Sequence, residues 1–63
     1  MKRITKERQK RNLTKTELGF ELRIHPARIG KIESGKAEPY EPSKKKLEKF
    51  FEMDIETLLE EVE

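Results

Sequence analysis

Lysine and arginine are the residues of this chain with the most chemistry to offer, and they are unevenly placed. Residues 1–36 hold eleven Lys/Arg against four Glu, a charge of +7, whereas residues 37–63 hold four Lys against nine Asp/Glu, a charge of −5. The net charge of +2 conceals this polarity. Ammonium and guanidinium groups make charge-assisted hydrogen bonds to anions. A strongly basic half is the electrostatic footprint expected for a nucleic-acid partner. Bond-making chemistry is harder to assemble. Cysteine is absent and His25 is the one histidine, so the sequence offers no thiolate nucleophile and no zinc-type ligand set. A Ser/His/Asp set, a Walker loop or paired carboxylates in a cleft cannot be drawn either. No catalytic residue, metal or cofactor is expected, and the chain is not expected to be an enzyme.

The elements that must carry these charges are legible between Thr14 and Gly35. Thr14 followed by Glu17 is a capping box, in which hydroxyl and carboxylate each satisfy a backbone N–H at a helix start. His25-Pro26 is a second start, with proline at the first helical position, where its missing N–H costs nothing. Leu18 and Leu22 share one helix face, as do Ile29 and Ile32. Gly19 lies beside Leu18 on the inward side, where a very small residue lets two helices approach. Two short helices meeting at a tight turn make a helix-turn-helix over residues 15–33.

This stretch resembles the DNA-binding domain of the Cro and phage-repressor (Xre-type) helix-turn-helix family, whose pattern runs Leu-Thr-Gln-x-Glu-Leu-Ala-x-x-x-Gly-Val-Ser-x-x-x-Ile-x-x-Ile-Glu-x-Gly. Leu13, Thr14, Glu17, Leu18, Ile29, Ile32, Glu33 and Gly35 match it, and Lys15, Gly19, Ile24 and His25 are near substitutes. Arg23 departs: the family has glycine in that turn because φ is positive there. The segment Gly35 to Pro39 and the residues Leu47, Phe51, Met53, Asp54, Leu58 and Leu59 extend the similarity over nearly the whole chain.

The resemblance implies an all-α, five-helix, repressor-like DNA-binding domain. It implies a sequence-specific double-stranded DNA-binding transcriptional regulator that reads the major groove with helix three. Pro26, Ala27, Arg28 and Lys31 occupy the positions that reach base edges. Arginine can bond bidentately to guanine, and alanine can touch a thymine methyl. Lys15, Thr16, His25, Ser34 and Lys36 fall where backbone phosphates would be held, contacts that position the protein without reading sequence. Arg8 and Glu33 match an ion pair tying helix one to the end of helix three. Glu38 and Glu41 oppose this reading, since they fall in a loop that borders phosphate. Lys44 replaces an apolar family residue.

Size and pattern bound the rest. Sixty-three residues make one domain, 1–63, and so short a chain buries only about 60% of its unfolded surface. No apolar run approaches a membrane span or a signal-peptide core, so a cytoplasmic protein, on the nucleoid when bound, is expected. Composition alone, 44% charged and 32% hydrophobic, would hint at disorder. The apolar residues nevertheless recur at helical spacing. Helices are expected near Arg3 to Arg11, Lys15 to Leu22, Pro26 to Glu33, and from Glu41 or Ser43 to Phe51. A fifth, capped by Asp54, presents Ile55, Leu58, Leu59 and Val62. Asn12 suits a left-handed helix end, and no strand signal is visible. The chain starts at Met1 and its last helix reads as complete, which suggests a stand-alone protein.

Phe20 reads as an exposed aromatic that folds against Tyr40 or serves a partner. With Leu59 and Val62 at the C-terminus it supplies the candidate dimer or partner contacts. A weak homodimer, or a dimer formed on DNA, is expected, with no membrane and no small-molecule ligand. The alternative is a protein-interaction module on the same fold, such as an antitoxin or an accessory factor of a mobile element. The acidic loop favours that alternative, and the basic helix three argues against it.

Overall fold

The computed structural model describes residues 1–62 and is all-α. Five helices follow in order: α1 Arg3–Lys10, α2 Lys15–Leu22, α3 Pro26–Ser34, α4 Glu41–Phe51 and α5 Ile55–Leu58. They share one core, made of Ile4, Leu18, Leu22, Ile24, Ile29, Ile32, Leu47, Phe51 and Leu58. Every helix contributes at least one of these, so none can be removed without opening the interior. Burial of such side chains stabilises by about 1.5–3 kcal/mol each.

The turns follow from local chemistry. Thr14 Oγ1 accepts from the Glu17 amide at 3.0 Å, and Glu17 Oε1 accepts from the Thr14 amide at 2.8 Å, closing the capping box. Arg23 ends α2 at φ 56°, ψ 43°, in the left-handed region. Asn12 and Glu52 share that conformation. The turn between α2 and α3 is tight enough that Gly19 has no room for a side chain. A Cβ there would collide with the Ile24 carbonyl oxygen and lie 3.3 Å from Pro26 N. Opposite effects are therefore expected at two neighbouring residues. Gly19→Ala must displace backbone and should destabilise by roughly 1–3 kcal/mol. Arg23→Gly relieves a left-handed L-residue and should stabilise by about 1 kcal/mol, which is about 4–8 °C in Tm for a domain of this size. Thermal melts of both variants check the signs; a stabilising Gly19→Ala would contradict the packing of the turn.

The C-terminus differs from the sequence reading. α5 is a single turn ending at Leu58, so Leu59 and Val62 do not extend one exposed helical face. Leu59 is half-buried against the core. Val62 lies in an extended segment that pairs with the N-terminus: the Val62 amide donates to the Met1 carbonyl at 2.7 Å, and the Arg3 amide donates to the Glu60 carbonyl at 2.8 Å. An isolated antiparallel bridge joins Lys2 and Glu61, backbone pairing that the sequence did not signal. Charge accompanies this backbone pairing. Glu60 and Glu61 at a helix C-terminus would oppose its dipole. Here Glu61 meets Lys2 at 3.1 Å, and the Lys2 ammonium also donates to the Leu59 carbonyl at 3.1 Å. The Lys2 ammonium holds the Glu61 carboxyl below its ordinary range. Asp54 starts α5 without a side-chain cap; Glu48, from α4, accepts from the Ile55 amide at 2.8 Å instead.

Candidate nucleic-acid interface

Helix α3 sits where α1 and α2 can hold it. Arg8 Nε donates to Glu33 Oε2 at 2.7 Å, and Nη2 donates to Oε1 at 3.1 Å, a bidentate fork between α1 and the end of α3. Both side chains are nearly buried, at 10% and 6% exposure. The third guanidinium arm donates to the Leu13 carbonyl at 2.7 Å. One arginine thereby fixes α3 against both α1 and the connection into α2.

Most basic residues of the N-terminal half, residues 1–36, fall into two groups. On α1 and beside it they are occupied: Arg11 and Lys10 with Glu7 at 3.0 and 3.4 Å, Arg3 with Glu60 at 4.0 Å, and Lys2 with Glu61. The Arg11 guanidinium, ahead of every other cause, pulls the Glu7 carboxyl below its ordinary range. Arg11 also stacks over the Phe51 ring, 4.9 Å from its centroid. Lys15, Arg23, Arg28, Lys31 and Lys36 have no carboxylate partner among the described residues. These five all lie in the helix-turn-helix or just after it. Lys15 leans over α3: a Cβ on Gly30 would be 3.9 Å from its Nζ. Lys36 is returned to the last turn of α3 because its amide donates to the Lys31 carbonyl at 2.9 Å.

The helix N-termini differ in what they leave open. At α3, Pro26 has no N–H. The Ala27 amide donates to His25 Nδ1 at 3.1 Å, and the Arg28 and Ile29 amides both donate to the His25 carbonyl. His25 is thus a cap: Nδ1 accepts from the backbone, which leaves Nε2 of this exposed ring as the nitrogen able to donate. Helix α2 keeps the Lys15 and Thr16 amides free of protein acceptors among the described residues. Free first-turn amides are what an anion needs at a helix start, so α2 rather than α3 offers that feature. Ser34 donates its hydroxyl proton to the Lys31 carbonyl at 3.1 Å, which leaves it an acceptor toward any phosphate.

The remaining positions fall as follows. Ala27 and Lys31 are exposed, and Pro26 and Arg28 are half-buried. Tyr40 does not cover Phe20. Its ring instead lies under the Arg28 guanidinium, 4.1 Å from carbon to centroid, and Phe20 stays 89% exposed. Phe20 borders a shallow hollow lined by Gly19, Arg23, Ile24, His25 and Pro26. Lys44 is half-buried beside Glu41, at 3.7 Å, so Glu41 has a cation of its own, and Glu38 is the loop carboxylate without a cation among the described residues. The role of Tyr40 left no trace in the sequence, because nothing local links it to a residue twelve positions earlier.

Residues 4–58 match the sequence profile of the helix-turn-helix family. The chain belongs to that family. The family is of the Cro and phage-repressor type and consists of DNA-binding regulators, not typically enzymes. The match spans all five helices apart from the first residue of α1, and it covers each unpaired cation described above. No curated protein and no solved structure matches the chain. No helix among the described residues is long and apolar enough to cross a membrane.

Proposed function

We propose that this chain is a sequence-specific regulator of transcription that binds double-stranded DNA, lays α3 in the major groove, and acts by occupancy in the manner of a repressor. One observation carries the reading: Lys15, Arg23, Arg28, Lys31 and Lys36, in the helix-turn-helix or just after it, have no carboxylate partner among the described residues, while Arg8, Lys10 and Arg11 of α1 are paired within the fold; Lys45, Lys46 and Lys49 of α4 are also without a carboxylate but lie outside the helix-turn-helix. Unpaired ammonium and guanidinium groups release condensed counterions when they meet phosphate, which supplies most of the affinity. Pro26, Ala27, Arg28 and Lys31 are the base-reading set. Lys15, Thr16, the His25 Nε2 and Lys36 hold phosphates, and Ser34 is the weakest member for want of a free proton. Protomers pair on half-sites about one helical turn, ~34–36 Å, apart.

The two classes of contact give different mutant signatures. Arg28→Ala and Lys31→Ala should each reduce discrimination at particular base pairs by ~1–3 kcal/mol. Lys15→Ala and Lys36→Ala should weaken selected and random duplexes alike. The measurement is competition binding on a duplex selected by the wild-type protein from a random pool. Uniform loss in all four variants would show that α3 does not read bases.

Phe20 supports a second reading, a protein-docking role on the same fold. Aromatic residues are enriched at protein interfaces, and Phe20 stands exposed beside an apolar hollow. Retention on random duplex at moderate salt separates the two: a protein-docking module without DNA affinity elutes early.

A further inference from the structure

Arginine at a DNA-reading position carries a cost that the structure addresses. Its side chain has up to about 2 kcal/mol of rotamer entropy to lose when it is fixed against a base. Arg28 has a stacking partner before any ligand arrives, the Tyr40 ring at 4.1 Å. With its central carbon over the ring face, the guanidinium has one side covered, and its planar N–H donors are free of protein acceptors to meet a ligand. Among the described residues Arg28 makes no side-chain hydrogen bond and no ion pair, so those donors are uncommitted.

The platform itself is firmly set. Tyr40 is the residue before α4, at φ −70°, ψ 162°. Its carbonyl accepts from the Lys44 amide at 2.8 Å. Pro39 before it is buried, and Pro42 lies in the first turn of α4, which removes φ freedom on both sides. The ring is 65% exposed, so burial in the core is not what keeps it in place.

We infer that Tyr40 is a positioning residue for recognition: its ring pre-orders Arg28 so that the guanidinium edge, not its face, meets a base. This rests on the DNA-binding reading above and adds to it a specificity determinant from outside the helix-turn-helix.

The test uses the full chain with two substitutions at Tyr40. Discrimination is the affinity ratio between the duplex selected by the wild-type protein and a scrambled duplex at one salt concentration. Tyr40→Leu removes the ring and should lower this ratio by about two- to fivefold, the scale of an exposed cation–π contact, with scrambled-duplex affinity unchanged. Tyr40→Phe keeps the face and should keep the ratio. In an Arg28→Ala background, Tyr40→Leu should change nothing further. In the free protein, the Arg28 δ-proton NMR signals should carry a ring-current shift that Tyr40→Leu abolishes and Tyr40→Phe preserves.

Equal loss on both duplexes, an undiminished effect in the Arg28→Ala background, or loss of discrimination in Tyr40→Phe would overturn the positioning role alone. A gain in discrimination would overturn it too, by showing that the ring withholds Arg28. If the wild-type protein binds no duplex while the ring-current shift is present, the regulator reading itself falls, and the function assigned to the stack falls with it.

Discussion

Replacing Glu33 with alanine is expected to cost about 3 kcal/mol of stability, the lower end of the range for breaking a buried ion pair. The substitution leaves the Arg8 guanidinium desolvated with one of its acceptors, the Leu13 carbonyl, and without its counter-charge. The retained Leu13 bond is what keeps the loss from being larger. For a domain of this size the loss corresponds to roughly 12–24 °C in Tm, a large share of the marginal stability expected of so few residues. Arg8→Met combined with Glu33→Leu removes both charges and should recover much of the loss, because the desolvation cost goes with the pair. Thermal or denaturant melts of the single and double variants check both statements. A Glu33→Ala protein within about 0.5 kcal/mol of wild type, the scatter of an ordinary surface change, would mean that the fork does not hold α3.

The second large effect is on binding. The five cations of the helix-turn-helix region without a carboxylate partner and the two free amides at the start of α2 suggest about four to six phosphates neutralised per protomer, each adding roughly −0.9 to the slope of log K on log salt. Affinity should then fall by roughly two to three orders of magnitude between about 50 and 200 mM salt. If a full palindrome takes two protomers, its slope should be about twice that of a half-site, so one titration series also reads the assembly. A flat dependence removes the electrostatic basis of the proposal, and equal slopes on half-site and palindrome remove the pairing.

Glu33→Ala and the salt titration lie on different links of one argument. Arg8 and Glu33 tie α3 to α1; on the proposed reading, the helix-turn-helix cations are what phosphate meets there. A protein with the fork broken should lose discrimination at temperatures where it is still folded, since a recognition helix misplaced by about 1 Å forfeits aligned contacts.

Much of the framework was legible from residues close together in the chain. Thr14 with Glu17, His25 with Pro26, and Gly35 past the end of α3 mark helix boundaries through hydrogen bonds that span two to five residues, and such signals survive without tertiary context. The inward faces were legible for a related reason: Leu18, Leu22, Ile29 and Ile32 repeat at helical spacing, and all are buried. The turn at Arg23 was readable only through the family resemblance, which has glycine there and left open either a strained arginine or a slightly different turn; Arg23 adopts the left-handed conformation itself. Asn12 was read as left-handed from its type alone.

Tertiary structure decided what depends on residues distant in sequence. Only the fold shows that Lys2 and Arg3 meet Glu61 and Glu60, that α5 ends after one turn, and that Val62 is a backbone partner of Met1 rather than part of a helical face. Only the fold lets Glu48 take the capping role expected of Asp54. Tyr40 and Arg28 are brought together by the loop between α3 and α4, and Phe20 is left bare by the same arrangement. Charge counting located the basic half, but which cations stay unpaired depends on which carboxylates lie within 4 Å. That is set by helix packing across the whole chain, not by neighbours along it.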